Sequence, residues 1–258
     1  MQIATGGLIA GAWPGIAASG GADTRRIRAL AFDAFPIFDP RPIAARAEAE
    51  FPGQGVALMN AWRIRQFEYQ WLRALSGRYV NFLDATSDGL RFAAQQLQLP
   101  LSEAQHAALM APWSELRVWP DTAAALETLR AAGLRLALLS NMTEAMLSSG
   151  LARAQLDPLF DAVISTDAQR TYKPDPRAYQ MGVDRLGLRK EEILFVAFAG
   201  WDVAGAKWFG YPTYWLNRAG APPEQLGVQA DAEGADFAAL LRHVLPMTAA
   251  KDGNAANP

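Results

Sequence analysis

Five runs of four to seven residues, Ile27–Asp33, Leu134–Ser140, Ala162–Ser165, Ile193–Phe198 and Pro212–Leu216, are almost continuously apolar. A strand with one solvated face alternates in hydropathy, whereas unbroken apolar runs are what a parallel sheet covered on both faces requires. Stretches of helical character separate the runs: Thr122–Ala132 behind a capping Pro120-Asp121, then Thr143–Ala154, Arg177–Leu186 and Val203–Phe209. This alternation predicts an α/β fold, a doubly wound, Rossmann-like parallel sheet built from residues 27–35 and 115–243.

Between the first and second runs lie about a hundred residues, far more than a crossover uses. Within them Val56–Leu75, Leu83–Leu97 and Ser102–Met110 predict helices, the last with Ser102 as N-cap ahead of Glu103. A helical cap over residues 42–112, inserted into a core of residues 25–41 and 113–245, is the expected organisation. Residues 1–24 carry no Lys or Arg and are rich in Gly and Ala. They read either as the remnant of a secretory leader, with Ile3–Ile16 apolar and Ala17-Ala18-Ser19 as cleavage zone, or as a flexible tail. The expected compartment is the cytoplasm, or the periplasm if a leader is present. That stretch is too short and too broken by Gly to span a membrane. Residues 246–258 read as a disordered tail.

Composition narrows the chemistry. With no Cys there is no thiol nucleophile, disulfide framework or iron–sulfur cluster, and the two His, His106 and His243, fall in no motif. A net charge of -2 without a local basic cluster argues against nucleic acid or an anionic membrane as partner. Carboxylate chemistry is left. In open α/β sheets ligands bind at the carboxyl ends of the strands. The polar residues placed there are Asp33, Ser140-Asn141, Asp167 and, shortly after the fourth run, Asp202, with Lys173 in the loop after the third.

Five segments, AFDAF ending around Asp33, Trp62–Phe82, LLSN at Leu138–Asn141, YKPDPRAY at Tyr172–Tyr179 and Trp201–Arg218, together resemble the 2-haloacid dehalogenases of the haloacid dehalogenase superfamily. The resemblance covers Ile27 to His243. It implies a carboxylate nucleophile, Asp33, that displaces halide from a short 2-halocarboxylate and is left as an ester. It further implies that Lys173 pairs with Asp33, that Asp202 pairs with Lys173 and helps activate water, and that Ser140 holds the substrate carboxylate. Asn141 and Arg63 would receive the halide. Tyr179 matches an active-site tyrosine of open role, and Phe67, Phe82 and Trp201 match an apolar pocket. The resemblance implies a homodimer; no cofactor is expected, and no metal, because Asp202 follows Gly200-Trp201 rather than another acidic residue. Six aromatics crowd Trp62–Phe82, and Trp62, Tyr69, Trp71 and Tyr79 among them read as packing.

Position 35 separates two branches. Superfamily phosphatases place an acid two residues after the nucleophile, where this chain has Phe35. The chain also departs from the dehalogenase pattern. Pro36-Ile37 replaces a Gly-Thr stretch, and Ala197 and Ala199 stand where the family has Ser and Asn, so ester hydrolysis should suffer more than ester formation. Two other readings stay open: a small-acid-binding protein on this scaffold, and a magnesium-dependent phosphatase, which Phe35 disfavours.

Overall fold

The computed structural model describes residues 27–248, so the reading of residues 1–24 lies outside the described residues. Strand β1 (Ala29–Phe32) runs into a one-turn helix, α1 (Ala34–Ile37), and a two-residue strand, β2 (Phe38–Asp39). Four helices follow: α2 (Arg41–Glu50), α3 (Gly55–Leu75), α4 (Phe82–Gln96) and α5 (Glu103–Met110). Strand β3 (Arg117–Val118) then pairs antiparallel with β2, so the insert leaves and re-enters through one two-stranded neck. The rest of the core is α6 (Thr122–Ala131), β4 (Arg135–Ser140), α7 (Glu144–Ala154), β5 (Ala162–Ser165), α8 (Pro176–Leu186), β6 (Ile193–Ala197), α9 (Gly200–Phe209), β7 (Thr213–Leu216), β8 (Ala232–Gly234) and α10 (Phe237–Thr248).

The five apolar runs all form strands, within two residues of their expected ends, and together with β8, which no run marks, pair in parallel in the order β5-β4-β1-β6-β7-β8. Successive side chains of a strand point to opposite faces. Leu30, Phe32, Leu136, Leu138, Leu194 and Val196 therefore join α6, α7 and α10 in one core, while Ala29, Ala31, Leu139, Phe195 and Ala197 meet α8 and α9 in the other. The winding reverses at β1, whose neighbours β4 and β6 start the two halves. The carboxyl end of β1 is thus the crevice where such sheets bind ligands.

Four expectations need correction. Helix α2 went unread, because only Ile43 and Ala47 of its ten residues are buried and its apolar period is faint. Asp121 occupies the N-cap of α6 but makes no side-chain cap; its carboxylate binds Arg218 and the amide of Phe237. Helix α9 starts three residues before Val203, which puts Trp201 and Asp202 in its first turn. Pro246, expected to open a disordered tail, lies inside α10, which reaches Thr248; residues 249–258 lie outside the described residues. Among the described residues no helix is long and apolar enough to cross a membrane.

Candidate active site

Asp33 leaves β1 at the switch point, its amide donating to Val196 O at 3.0 Å and so extending the pairing with β6 by one residue. It is also the N-cap of α1, accepting from the amide of Phe35 at 3.2 Å through Oδ2. That backbone bond anchors the carboxylate in a loop where Pro36-Ile37 offers no hydroxyl. Its other oxygen, Oδ1, takes a hydrogen bond from Lys173 Nζ at 2.8 Å.

Lys173 is brought in by the loop between β5 and α8. It is fully buried, and its ammonium donates to Asp33 and, at 2.6 Å, to Asp202 Oδ2. The Nζ also lies 5.0 Å from the centre of the Phe195 ring. Tyr179, in α8, completes the line by donating to Asp202 Oδ1 at 2.7 Å. Four residues from four segments of the chain thus form one chain of charge-assisted hydrogen bonds, buried except at Asp33, whose side chain is 13% exposed.

The electrostatics follow from burial. Desolvation pushes Asp202 up to about 6, although the Lys173 ammonium pulls the other way. Burial alone would drag Lys173 down, but Asp202 and Asp33 outweigh it and raise the ammonium above its ordinary value. Burial beside Asp202 holds the Tyr179 phenol well above its ordinary range, so it remains a donor.

Strand β4 ends at Ser140 and Asn141, both buried. Ser140 Oγ accepts from the amide of Met142 at 3.2 Å. Asn141 Oδ1 accepts from the amide of Lys173 at 2.8 Å and from Thr166 Oγ1 at 3.3 Å, which fixes the Lys173 loop to the end of β4. The cap closes this end of the sheet. Phe67 in α3 lies 5.2 Å edge-on from Trp201, and Trp71, one turn on, lies 5.6 Å from the same ring.

Two expected site residues are placed differently from the rest. Arg63 is exposed on α3, one turn before Phe67 on the same face, and makes no part of the buried chain. Phe82 is buried at the start of α4 and packs 5.4 Å from Trp113, not against Phe67 or Trp201. Trp113 in turn meets Phe35 at 6.4 Å, so Phe82 supports the Asp33 loop from behind. Conversely, Trp71 and Tyr79 do more than pack: Trp71 Nε1 donates to the carbonyl of Lys173 at 3.0 Å, and Tyr79 donates to Asp167 at 2.6 Å. Gln70, fully buried against Asn141, had no distinguishing mark in the sequence. Among the described residues no group of three or more His, Asp or Glu is set to hold a metal ion.

The model of the haloacid dehalogenase-like hydrolases matches residues 7–210. The chain belongs to the haloacid dehalogenase-like hydrolase family. Within that family it is a hydrolase of the (S)-2-haloacid dehalogenase type. It is 38% identical over 216 residues to an (S)-2-haloacid dehalogenase of Pseudomonas sp. strain YL, spanning 83% of this chain and 93% of that one. A crystal structure of an L-2-haloacid dehalogenase superposes with a TM-score of 0.82 at 43% identity, covering 84% of this chain and 98% of the other. The enzyme from Xanthobacter autotrophicus with chloropropionic acid covalently bound gives a TM-score of 0.76 at 34% identity over 84% and 98% of the two chains. These likenesses within the haloacid dehalogenase-like hydrolases extend over the cap helices as well as the sheet.

Proposed function

We propose that this protein hydrolyses short 2-haloalkanoic acids, fluoroacetate included, to 2-hydroxy acids through an ester on Asp33, without a metal. The observation that carries the reading is the buried chain Asp33–Lys173–Asp202–Tyr179 beside an apolar residue, Phe35, at the place where a phosphatase needs an acid. The covalent adduct named for the Xanthobacter relative supports the same chemistry.

The Asp33 carboxylate attacks C2 of the substrate, and halide leaves with the electron pair of the carbon–halogen bond. Lys173 holds the carboxylate in line. Ser140 meets the substrate carboxylate, while Asn141, with Arg63 reaching in from the cap, receives the halide. Phe67, Trp201 and, from behind, Phe82 keep bulk water away from the carbon. Water then attacks the carbonyl carbon of the Asp33 ester and gives one proton to Asp202; Asp202 passes it to the departing alkoxide oxygen, which frees the hydroxy acid, and the other water proton goes to solvent as Asp33 returns to its carboxylate. Halide needs no proton on leaving, so Phe35 is no handicap. Residues 42–112 act as a cap on the core of residues 25–41 and 113–245, and two copies join through α3, where Ile64, Leu72 and Leu75 are 55%, 60% and 88% exposed.

Halide release from chloroacetate, 2-chloropropionate and fluoroacetate, before and after treatment with a chelator, tests the reading. Release unaffected by the chelator is expected. No release from any of the three, or release lost to the chelator and restored by magnesium, would overturn it. The loss of side-chain function at Ala197 and Ala199 favours a second reading, in which the ester forms and stays; a stable mass increase on Asp33 after haloacetate would establish it.

A further inference from the structure

Gln70 has no role in the scheme above, yet it is fully buried where the cap meets the end of β4. Residues Arg63, Phe67 and Gln70 are spaced i, i+4 and i+7 and so share one face of α3. The Phe67 ring reaches Trp201 and the Gln70 amide reaches Asn141, which shows that this face looks onto the strand ends. Arg63, about 10 Å farther along the helix axis, sits at the exposed rim of the same face.

The orientation of both carboxamides is set by their partners. Asn141 Oδ1 is taken by the amide of Lys173 and by Thr166, so its amino group must face Gln70, whose Oε1 accepts at 3.4 Å. Gln70 Nε2 is consequently turned away from Asn141, and it is buried without any acceptor. Buried donors are nearly always paired, and one left open beside a reacting centre calls for an acceptor that arrives with the substrate. The three dipoles run head to tail, from the Lys173 amide through Asn141 to Gln70, so each polarises the next and the open amino group is the electropositive end.

We infer that Gln70 donates a hydrogen bond to the departing halide, forming with Asn141 a carboxamide pair that stabilises negative charge as the carbon–halogen bond breaks. The inference rests on the dehalogenase reading and adds a cap residue to it. Charge grows on the halogen only toward the transition state, so the donor acts on the rate of displacement. Poor leaving groups depend on such help most.

The test compares kcat/KM for bromoacetate, chloroacetate and fluoroacetate in the wild type and in Gln70→Met, which keeps the length and removes the donor. Expected is a loss of about tenfold for chloroacetate, smaller for bromoacetate and larger for fluoroacetate, with weaker product inhibition by bromide. The same factor for every halogen, or none, would show a packing role and overturn the inference while leaving the dehalogenase reading intact. Absence of halide release from the wild type would overturn both. If Gln70→Met does not fold, Gln70→Glu, which keeps shape and polarity but opposes an anion, must show the same halogen ordering more strongly.

Discussion

Lys173 and Asp202 meet at 2.6 Å with both side chains closed off from solvent. An ammonium in such a place is expensive to desolvate and is tolerated only with carboxylates on hand. Removing one partner leaves an uncompensated charge, so this pair ties the chemistry of the site to the integrity of the core.

The nucleophile is tested by isotope. Multiple turnover in ¹⁸O-water should place label in Asp33, detected by peptide mass spectrometry, and Asp33→Asn should lower halide release by about 10³-fold or more. Label found only in the product, with Asp33 unlabelled, would mean that water attacks the substrate directly.

The pH profile is set by Asp202, pushed up to about 6. In the proposed scheme its carboxylate form takes a proton from water in the hydrolytic half-reaction, so kcat should rise with pH through about 6 and then level. Stability has the opposite sign. Folded Asp202 keeps its proton above the ordinary value of 3.8 that it has when unfolded, so its contribution is full below that value and is lost as pH rises through about 6. Lys173, raised above its ordinary value, contributes stability that is lost only on the alkaline side. Urea unfolding of the wild type and Asp202→Asn between these limits should show the acid-side dependence in the wild type alone.

Gly205 in α9 lies against the Tyr179 hydroxyl, and a Cβ there would collide with it. Gly205→Ala should therefore displace the donor that holds Asp202 and move the acid limb of the profile upward, as should Tyr179→Phe. A Gly205→Ala variant with the wild-type limb would show that the hydroxyl does not tune Asp202.

Trp71 links the cap to the lysine through its bond to the Lys173 carbonyl. Trp71→Phe should cost about 1 kcal/mol in stability, seen as a fall of about 2–4 °C in Tm.

Ala199 is the N-cap of α9 and offers no side-chain bond to the helix. With hydrolysis the slower half-reaction, halide should appear in a burst equal to the enzyme concentration. Ala199→Asn should both speed the steady state and add about 1 kcal/mol of helix capping; a burst-free trace would place the slow step at displacement.

The buried sheet was readable because strands with two apolar neighbours leave no room for polar side chains, and Asp33 stood out as the acid closing such a run. The short edge strand β8 had no such mark: Ala-Glu-Gly is partly exposed and held mainly by its pairing with β7. Of the site, the charged line at the strand ends was legible, since charges there have few structural duties. Gln70 was not, because a glutamine within a helix reads as surface until tertiary packing buries it. Arg63 illustrates the reverse: the resemblance marks it, and it stands exposed at the rim of the α3 face that carries Phe67 and Gln70.

Asp33 precedes the neck formed by β2 and β3, while Ser140, Asn141, Lys173, Tyr179 and Asp202 all follow it. On the ribosome, Asp33 emerges roughly ten to thirty seconds before Asp202 at ordinary rates of synthesis, and β1 must wait in the interval for both of its neighbours. A nascent chain that stops before α9 holds Asp33 and Lys173 but lacks Asp202, which leaves the ammonium one carboxylate short.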